Sequence, residues 1–225
     1  MSQRGYQLLY RVSQAAARRA GAVSDGDLVR QVARDADRAA FELLLWRHGP
    51  AVWGVCRRVL GATPDAEDVF QAVFFTLARR AGSIADGNAV PGWLHRVAVR
   101  TAVEARNARM RRLAREAATP VPEAVAPDDP VRSAAGQELG AVLDEEIARL
   151  PDRFRMPFLL CEVYGRCPAA AAAALRCPVG TVASRVSRAK RQLRKRLARR
   201  GVTLPATVAA VAVPAWLSGA ILRAA

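Results

Sequence analysis

Side chains that bind metals or attack substrates are scarce in this sequence. Its 225 residues hold two histidines, His48 and His95, and four cysteines, Cys56, Cys161, Cys167 and Cys177, with no pair at C-x-x-C spacing. That argues against a zinc site, and so few cysteines in so long a chain do not make a disulfide framework. They read as reduced, mostly buried thiols of a cytoplasmic protein. No Gly-rich phosphate loop or nucleophile accompanies the acidic clusters, so we expect no catalytic residue, metal, cofactor or small-molecule substrate. The N-terminus lacks the unbroken apolar run of a signal peptide, because Gln7, Arg11, Ser13 and Gln14 interrupt it. No stretch alternates β-branched residues with period two, which argues against a sheet.

Aromatics are only 6% of the chain, and Ala, Val, Leu and Arg dominate. This composition favours an all-α fold packed through small side chains. Acids are also in deficit, leaving a formal net charge of +15. A surplus of that size, unevenly spread, points to a polyanionic partner, either nucleic acid or an anionic membrane surface.

The pattern divides the chain into an extension over 1–24, a helical unit over 25–113, a linker over 114–136, a second helical unit over 137–200 and an apolar extension over 201–225. Residues 8–20 read as a short basic amphipathic helix. Within the first unit, breaks are expected at Gly49-Pro50, Gly61 to Pro64 and Gly82 to Pro91. Pro120, Pro122, Pro127 and Pro130 make the linker flexible rather than helical. The tail from Gly201 to Leu222 is long enough for a membrane span and follows a basic run, but Pro205 and Pro214 interrupt it. A small helical extension that packs on the domain or on a partner is the preferred reading.

The segment from Arg166 to Arg200 reads as a helix-turn-helix. Pro168 suits the first position of a short helix ending near Leu175, Pro178 and Gly180 punctuate the chain, and a second helix begins around Val179 to Thr181. On a helical wheel Val182, Val186, Ala189, Leu193 and Leu197 fall on the core side. Thr181, Ser184, Arg188, Arg191 and Lys195 fall opposite, with Arg185 in the same basic run. Short hydroxyls and guanidinium forks are what a major-groove helix needs. A merely solvated basic helix would carry compensating acids at i±4, and between Arg185 and Arg200 there are none.

In the first unit, Thr63-Pro64-Asp65-Ala66-Glu67-Asp68 signals a helix start: Thr63 as cap, Pro64 in the first turn, acids at the positive end of the dipole. Ala66, Val69, Phe70, Val73 and Leu77 form its buried stripe, while Asp68, Gln71, Phe75 and Arg79 lie opposite. A phenyl ring among polar residues suggests a protein-docking face; packing under a neighbouring loop is the other reading of Phe75. Farther on, Trp93, Arg96 and Arg100 share a basic helix that suits contacts to unpaired bases. Taken alone, Trp93 is better explained as core, and His95 as a hydrogen-bonded helix residue rather than a ligand or base.

The order of these segments resembles the extracytoplasmic-function (ECF) sigma factors of bacterial RNA polymerase. The resemblance rests on Asp27-Leu28-Val29, Ala40-Phe41-Glu42, Asp65-Ala66-Glu67-Asp68-Val69 with Gln71 and Phe74, Trp93-Leu94, Leu150-Pro151-Asp152-Arg153-Phe154-Arg155, and Pro178-Val179-Gly180-Thr181-Val182 with Ser184-Arg185 and Arg188-Ala189. It implies a two-domain all-α factor without catalytic activity of its own, which binds core RNA polymerase and promoter DNA and is held inactive by an anti-sigma protein. It further implies polymerase contacts from Asp65, Asp68, Gln71 and Phe75, with Trp93, Arg96 and Arg100 on the promoter element nearest the start site. Thr181, Ser184, Arg185, Arg188, Arg191 and Lys195 would read the upstream element. The chain departs from the family where Arg100 replaces the usual Asn, Glu104 the usual Asp, and Cys167 the usual Ser or Thr. The alternative is a stand-alone helix-turn-helix regulator, tethered to a membrane if residues 201–222 insert.

Overall fold

The computed structural model describes residues 23–84, 86–117 and 130–201, and among them there is no strand. The all-α expectation holds. The basic helix expected at 8–20, the prolines at 120, 122 and 127, and the tail beyond Gly201 lie outside the described residues.

The first unit is built on α1 (Asp25–Asp35), α2 (Arg38–Leu60), α3 (Pro64–Arg80) and α4 (Val90–Ala117), with two short 3-10 turns before α4. Ser24 caps α1 by accepting from the Asp27 N–H, and Asp37 caps α2 by accepting from the N–H groups of Ala39 and Ala40. Between them Ala36 turns the chain in the left-handed region, at φ 48°. The sequence reading missed this break and placed one at Gly49-Pro50, where α2 instead runs unbroken. Pro50 lacks the N–H that would bond the carbonyl of Trp46, an exposed residue, at a cost of about 3 kcal/mol. Leu44, Leu45, Val52 and Val55, anchored in the core on both sides of the proline, outweigh that cost.

Thr63 stands at the N-cap of α3 but does not cap it; its hydroxyl donates back to the Leu60 carbonyl at 3.1 Å. Asp65 and Glu67 in the first turn meet the dipole instead. The whole expected stripe of α3 is buried, joined by Phe74, which makes edge-on ring contacts with Phe41 and Phe70.

The second unit comprises α5 (Pro130–Ala148), α6 (Asp152–Phe158), a π-helical turn (Leu159–Val163), α7 (Pro168–Leu175) and α8 (Val179–Ala198). Helices α4 and α5 thus reach into the stretch 114–136 from both sides, and Pro130 opens a helix. Leu143, Ile147, Leu150, Phe158, Leu159, Leu193 and Leu197 make one core cluster, and Leu160, Ala171, Ala172 and Val182 a second beneath the helix-turn-helix. The cysteines are all free, but only Cys56 is buried; Cys161 and Cys177 are half-buried and Cys167, at the start of α7, is exposed. The expectation of mostly buried thiols fails because Cys167 and Cys177 sit on the thin helix-turn-helix and Cys161 on the π-helical turn before it, where little chain is available to cover them.

The units meet along a polar seam. Arg58 of α2 grips Asp144 of α5 with two hydrogen bonds, of 2.7 and 3.0 Å, and His95 Nε2 of α4 lies 3.3 Å from the same carboxylate. Nearby, the Tyr164 hydroxyl lies 3.0 Å from His48 Nδ1, while His48 Nε2 stands 3.1 Å from Asp25 Oδ2, off the line of an ideal hydrogen bond. Arg47 also pairs with Asp25. Both histidines of the chain are therefore spent on this seam, and His95 is the hydrogen-bonded helix residue the sequence suggests.

Burial alone would raise the Asp25 carboxyl, but the His48 ring and the Arg47 guanidinium outweigh it and hold the pKa at about 2 instead of 3.8. The folded value is depressed, so the stabilisation, about 2 kcal/mol, is present above pH 4 and lost as pH falls from there toward 2. Asp144 is lowered too, since the Arg58 charge and the His95 and Arg58 hydrogen bonds overcome its burial. Urea unfolding followed across that pH window should show the loss, and Asp25→Asn should flatten it. A wild-type stability that stays level from pH 5 to about 2.5 would contradict this account.

Candidate nucleic-acid and polymerase interfaces

Helix α8 separates its faces as the wheel requires. Val182, Ala189, Leu193 and Leu197 are buried and Val186 packs half-buried against the smaller cluster. Ser184, Arg188, Arg191 and Lys195 are exposed, and Thr181 and Arg185 are half-exposed beside them. Helix α7 crosses beneath, with Ala171 and Ala172 buried at the contact. A cap bond to α7 is absent because Cys167 occupies the N-cap position.

The basic run of α8 is divided by its partners. Lys190 pairs with Glu162 at 2.9 Å, and Arg196 and Arg200 reach Glu145 and Glu146 of α5 at 3.0–3.5 Å. Among the described residues no acid pairs with Arg185, Arg188, Arg191 or Lys195. The acids absent at i±4 are thus supplied from other helices, and only to the inward side. Four cations left together on one face raise the local positive potential and leave their donors open to a polyanion.

On α4, Trp93 is half-buried while Arg96 and Arg100 are exposed. With Val97 they line a groove of about 670 Å³ whose far wall includes Glu145, Ala148 and Arg149 of the second unit. Trp93 packs partly on the core of the first unit and partly lines this groove. Arg100 pairs weakly with Glu104 on its own helix at 3.8 Å, and Arg96 pairs with Asp152 at 3.0 Å.

On α3, Asp68 is exposed and Asp65, Gln71 and Phe75 are half-exposed. Asp65 faces Arg112 of α4 at 3.8 Å, and Phe75 leans on the core of the first unit while keeping part of its ring outside. The three groups of residues singled out in the sequence fall on separate surfaces: α8, the α4 groove and the α3 face. Among the described residues no cluster of three His, Cys, Asp or Glu side chains could hold a metal, and no helix is long and apolar enough to cross a membrane.

The sequence reading missed Arg58, Asp144, Glu145 and Tyr164, which join the units, and the role of Arg155, buried under the α5–α6 corner. The one signal for the first group was the run Asp144-Glu145-Glu146 directly after the apolar stretch from Leu139 to Leu143.

Two small helical units, one of them a helix-turn-helix with an unpaired basic outer face, define a DNA-binding factor whose other unit is free for a second task. Known proteins give that class its family. Sigma-70 region 2 matches residues 44–112 and Sigma-70 region 4 matches residues 141–193. The RNA polymerase sigma-H factor of Pseudomonas aeruginosa is 31% identical over 187 residues, covering 77% of this chain and 93% of that protein. The ECF RNA polymerase sigma-E factor of Haemophilus influenzae is 30% identical, covering 78% and 96%. That of Escherichia coli K12 is 31% identical, covering 75% and 91%. Among solved structures, CnrH in complex with the cytosolic domain of CnrY is 24% identical over 78% of this chain and 97% of that one, with a TM-score of 0.38. The chain belongs to the ECF sigma factors, the transcription initiation factors that direct RNA polymerase to promoters.

Proposed function

We propose that the three surfaces divide the work of this sigma factor. Asp65, Asp68, Gln71 and Phe75 on α3 dock on core polymerase; Trp93, Arg96 and Arg100 on α4 engage the promoter element nearest the start site. Thr181, Ser184, Arg185, Arg188, Arg191 and Lys195 on α8 read the upstream element in the major groove. Residues 25–113 and 137–200 are the two working domains. The factor acts in the cytoplasm, where its promoters are, adds no catalytic group of its own, and is restrained by an anti-sigma protein.

The observation that carries this reading is the division of charge on α8. Its inward cations are paired within the fold, and its outward ones are not. The test combines purified chain, core polymerase and a promoter mapped by transcript starts after overexpression. Initiation should depend on the chain. Phe75→Ala should weaken core binding roughly 30-fold at every promoter, as loss of a buried aromatic anchor does. Tight, specific duplex binding by a dimer without polymerase would instead favour the stand-alone regulator.

A further inference from the structure

Helix α3 ends in two arginines that the division of labour leaves without a task. Arg79 and Arg80 are both exposed in its last turn, and among the described residues no acid pairs with either. The negative end of the helix dipole accounts for a cation at each position. It does not account for where the two side chains stand. Successive helix residues turn by about 100°, so Arg79 falls on the side of Asp68, Gln71 and Phe75, while Arg80 falls on the side of Thr76. That second side borders the α4 groove: Thr76 and Arg80 line it together with Trp93, Arg96, Val97 and Arg100.

The chemistry of this wall narrows what it can hold. The Thr76 hydroxyl donates to the Ala72 carbonyl at 2.7 Å, so its proton is not available to a ligand. With Val97 and the half-exposed ring of Trp93 it forms a largely apolar strip on which a base can lie. Three guanidiniums surround the strip. Arg96 is engaged by Asp152 and Arg100 weakly by Glu104, which leaves Arg80 the one of the three without a carboxylate among the described residues. An arginine at the edge of such a strip, with its donors open, suits the phosphate backbone of a strand whose bases lie on the strip. All six side chains belong to the first unit, so the strip does not depend on the position of the second.

We infer that Arg80 is a phosphate contact for the promoter strand that lies along α4, so that α3 serves two partners with neighbouring faces, polymerase on the side of Phe75 and DNA on the side of Thr76. The inference rests on the assignment of Trp93, Arg96 and Arg100 to promoter contact. A phosphate contact carries no base information, so Arg80 contributes affinity equally at every promoter, unlike the base-edge contacts of α8. With both partners held by one helix, the strand is fixed relative to polymerase without a flexible joint between them.

The experiment uses the full chain, core polymerase and a mapped promoter fragment carrying a preformed bubble. Fluorescence anisotropy reads the affinity of core for the labelled chain and that of the complex for the fragment. Arg80→Ala should leave core binding unchanged and weaken fragment binding roughly tenfold, as loss of one charge-assisted hydrogen bond does. It should also lower the slope of log affinity against log salt by about 0.7. Bubbles of altered sequence should show the same fold loss. Arg80→Lys keeps a point charge for the phosphate and should recover most of both effects. Arg79→Ala removes the same charge from the same turn and, whatever it does to core binding, should leave the affinity of the complex for the fragment unchanged. If Arg100→Ala weakens fragment binding and Arg80→Ala does not, Arg80 makes no contact. Equal losses from Arg79→Ala and Arg80→Ala would mean a diffuse field at the helix end, and a matching loss of core binding would put Arg80 on the docking face; either overturns the inference. If Trp93→Ala and Arg100→Ala both bind the fragment like wild type, the promoter reading of α4 itself fails, and the role of Arg80 falls with it.

Discussion

Replacing Arg188 and Arg191 together by alanine should cut initiation at responsive promoters by roughly 30-fold or more while leaving core binding unchanged. Each guanidinium that forks onto a base edge supplies roughly 1–3 kcal/mol of discrimination, and two lost contacts compound. Both side chains are exposed on α8 without an acid partner, so their removal costs the fold nothing that the structure shows. The control is Lys190→Ala. Lys190 lies on the same helix but pairs with Glu162 at 2.9 Å, and its loss should leave promoter choice intact. Salt separates the contributions further: each lost phosphate contact reduces the slope of log affinity against log salt by roughly one unit. The assignment fails if the double variant loses core binding in step with promoter activity, or if Lys190→Ala alters promoter choice as strongly.

What the sequence disclosed, and what it hid, follows from the range of the interactions involved. Pro168, Leu175 and Val179 mark the helix-turn-helix correctly, because proline geometry and apolar spacing act within a few residues. The buried stripes of α3 and α8 were legible for the same reason. The error at Pro50 has the opposite origin: a local penalty of about 3 kcal/mol was overridden by side chains buried on both sides of it. Thr63 shows a cap position without a cap bond, since its hydroxyl finds the Leu60 carbonyl first. The seam was invisible because its partners lie far apart in the chain. Asp144 meets Arg58 across 86 residues, and Tyr164 meets His48 across 116. Nothing in the spacing of Asp144-Glu145-Glu146 says which arginines it will face. The α8 charge run was legible as unusual, but its division into paired and unpaired members needed α5 and the π-helical turn in place.

Arg155→Ala should destabilise the second unit by roughly 3 kcal/mol, because this buried arginine completes a backbone that has no other donor. Helix α5 ends at Ala148, so its last carbonyls have no partner within the helix. The Arg155 guanidinium supplies one, donating to the Ala148 carbonyl at 3.2 Å and to the Leu150 carbonyl at 3.0 Å, and it also holds Asp152. The side chain is only 2% exposed, so water cannot replace these bonds without opening the corner. Burial lowers its pKa, with the charge of Arg96 adding to the effect, and Asp152 opposes both. Arg155→Lys retains the charge but cannot reach two carbonyls and a carboxylate from one planar fork, and should recover only part of the loss. Arg155→Met fills the space yet leaves both carbonyls unpaired, so it should stay close to alanine. Thermal melts should show the transition of the second unit lowered by roughly 10–20 °C, while the first unit still binds core polymerase. If alanine shifts the transition by no more than a surface substitution would, or if methionine restores it fully, then Arg155 acts through volume, and its hydrogen bonds are incidental to the α5–α6 corner.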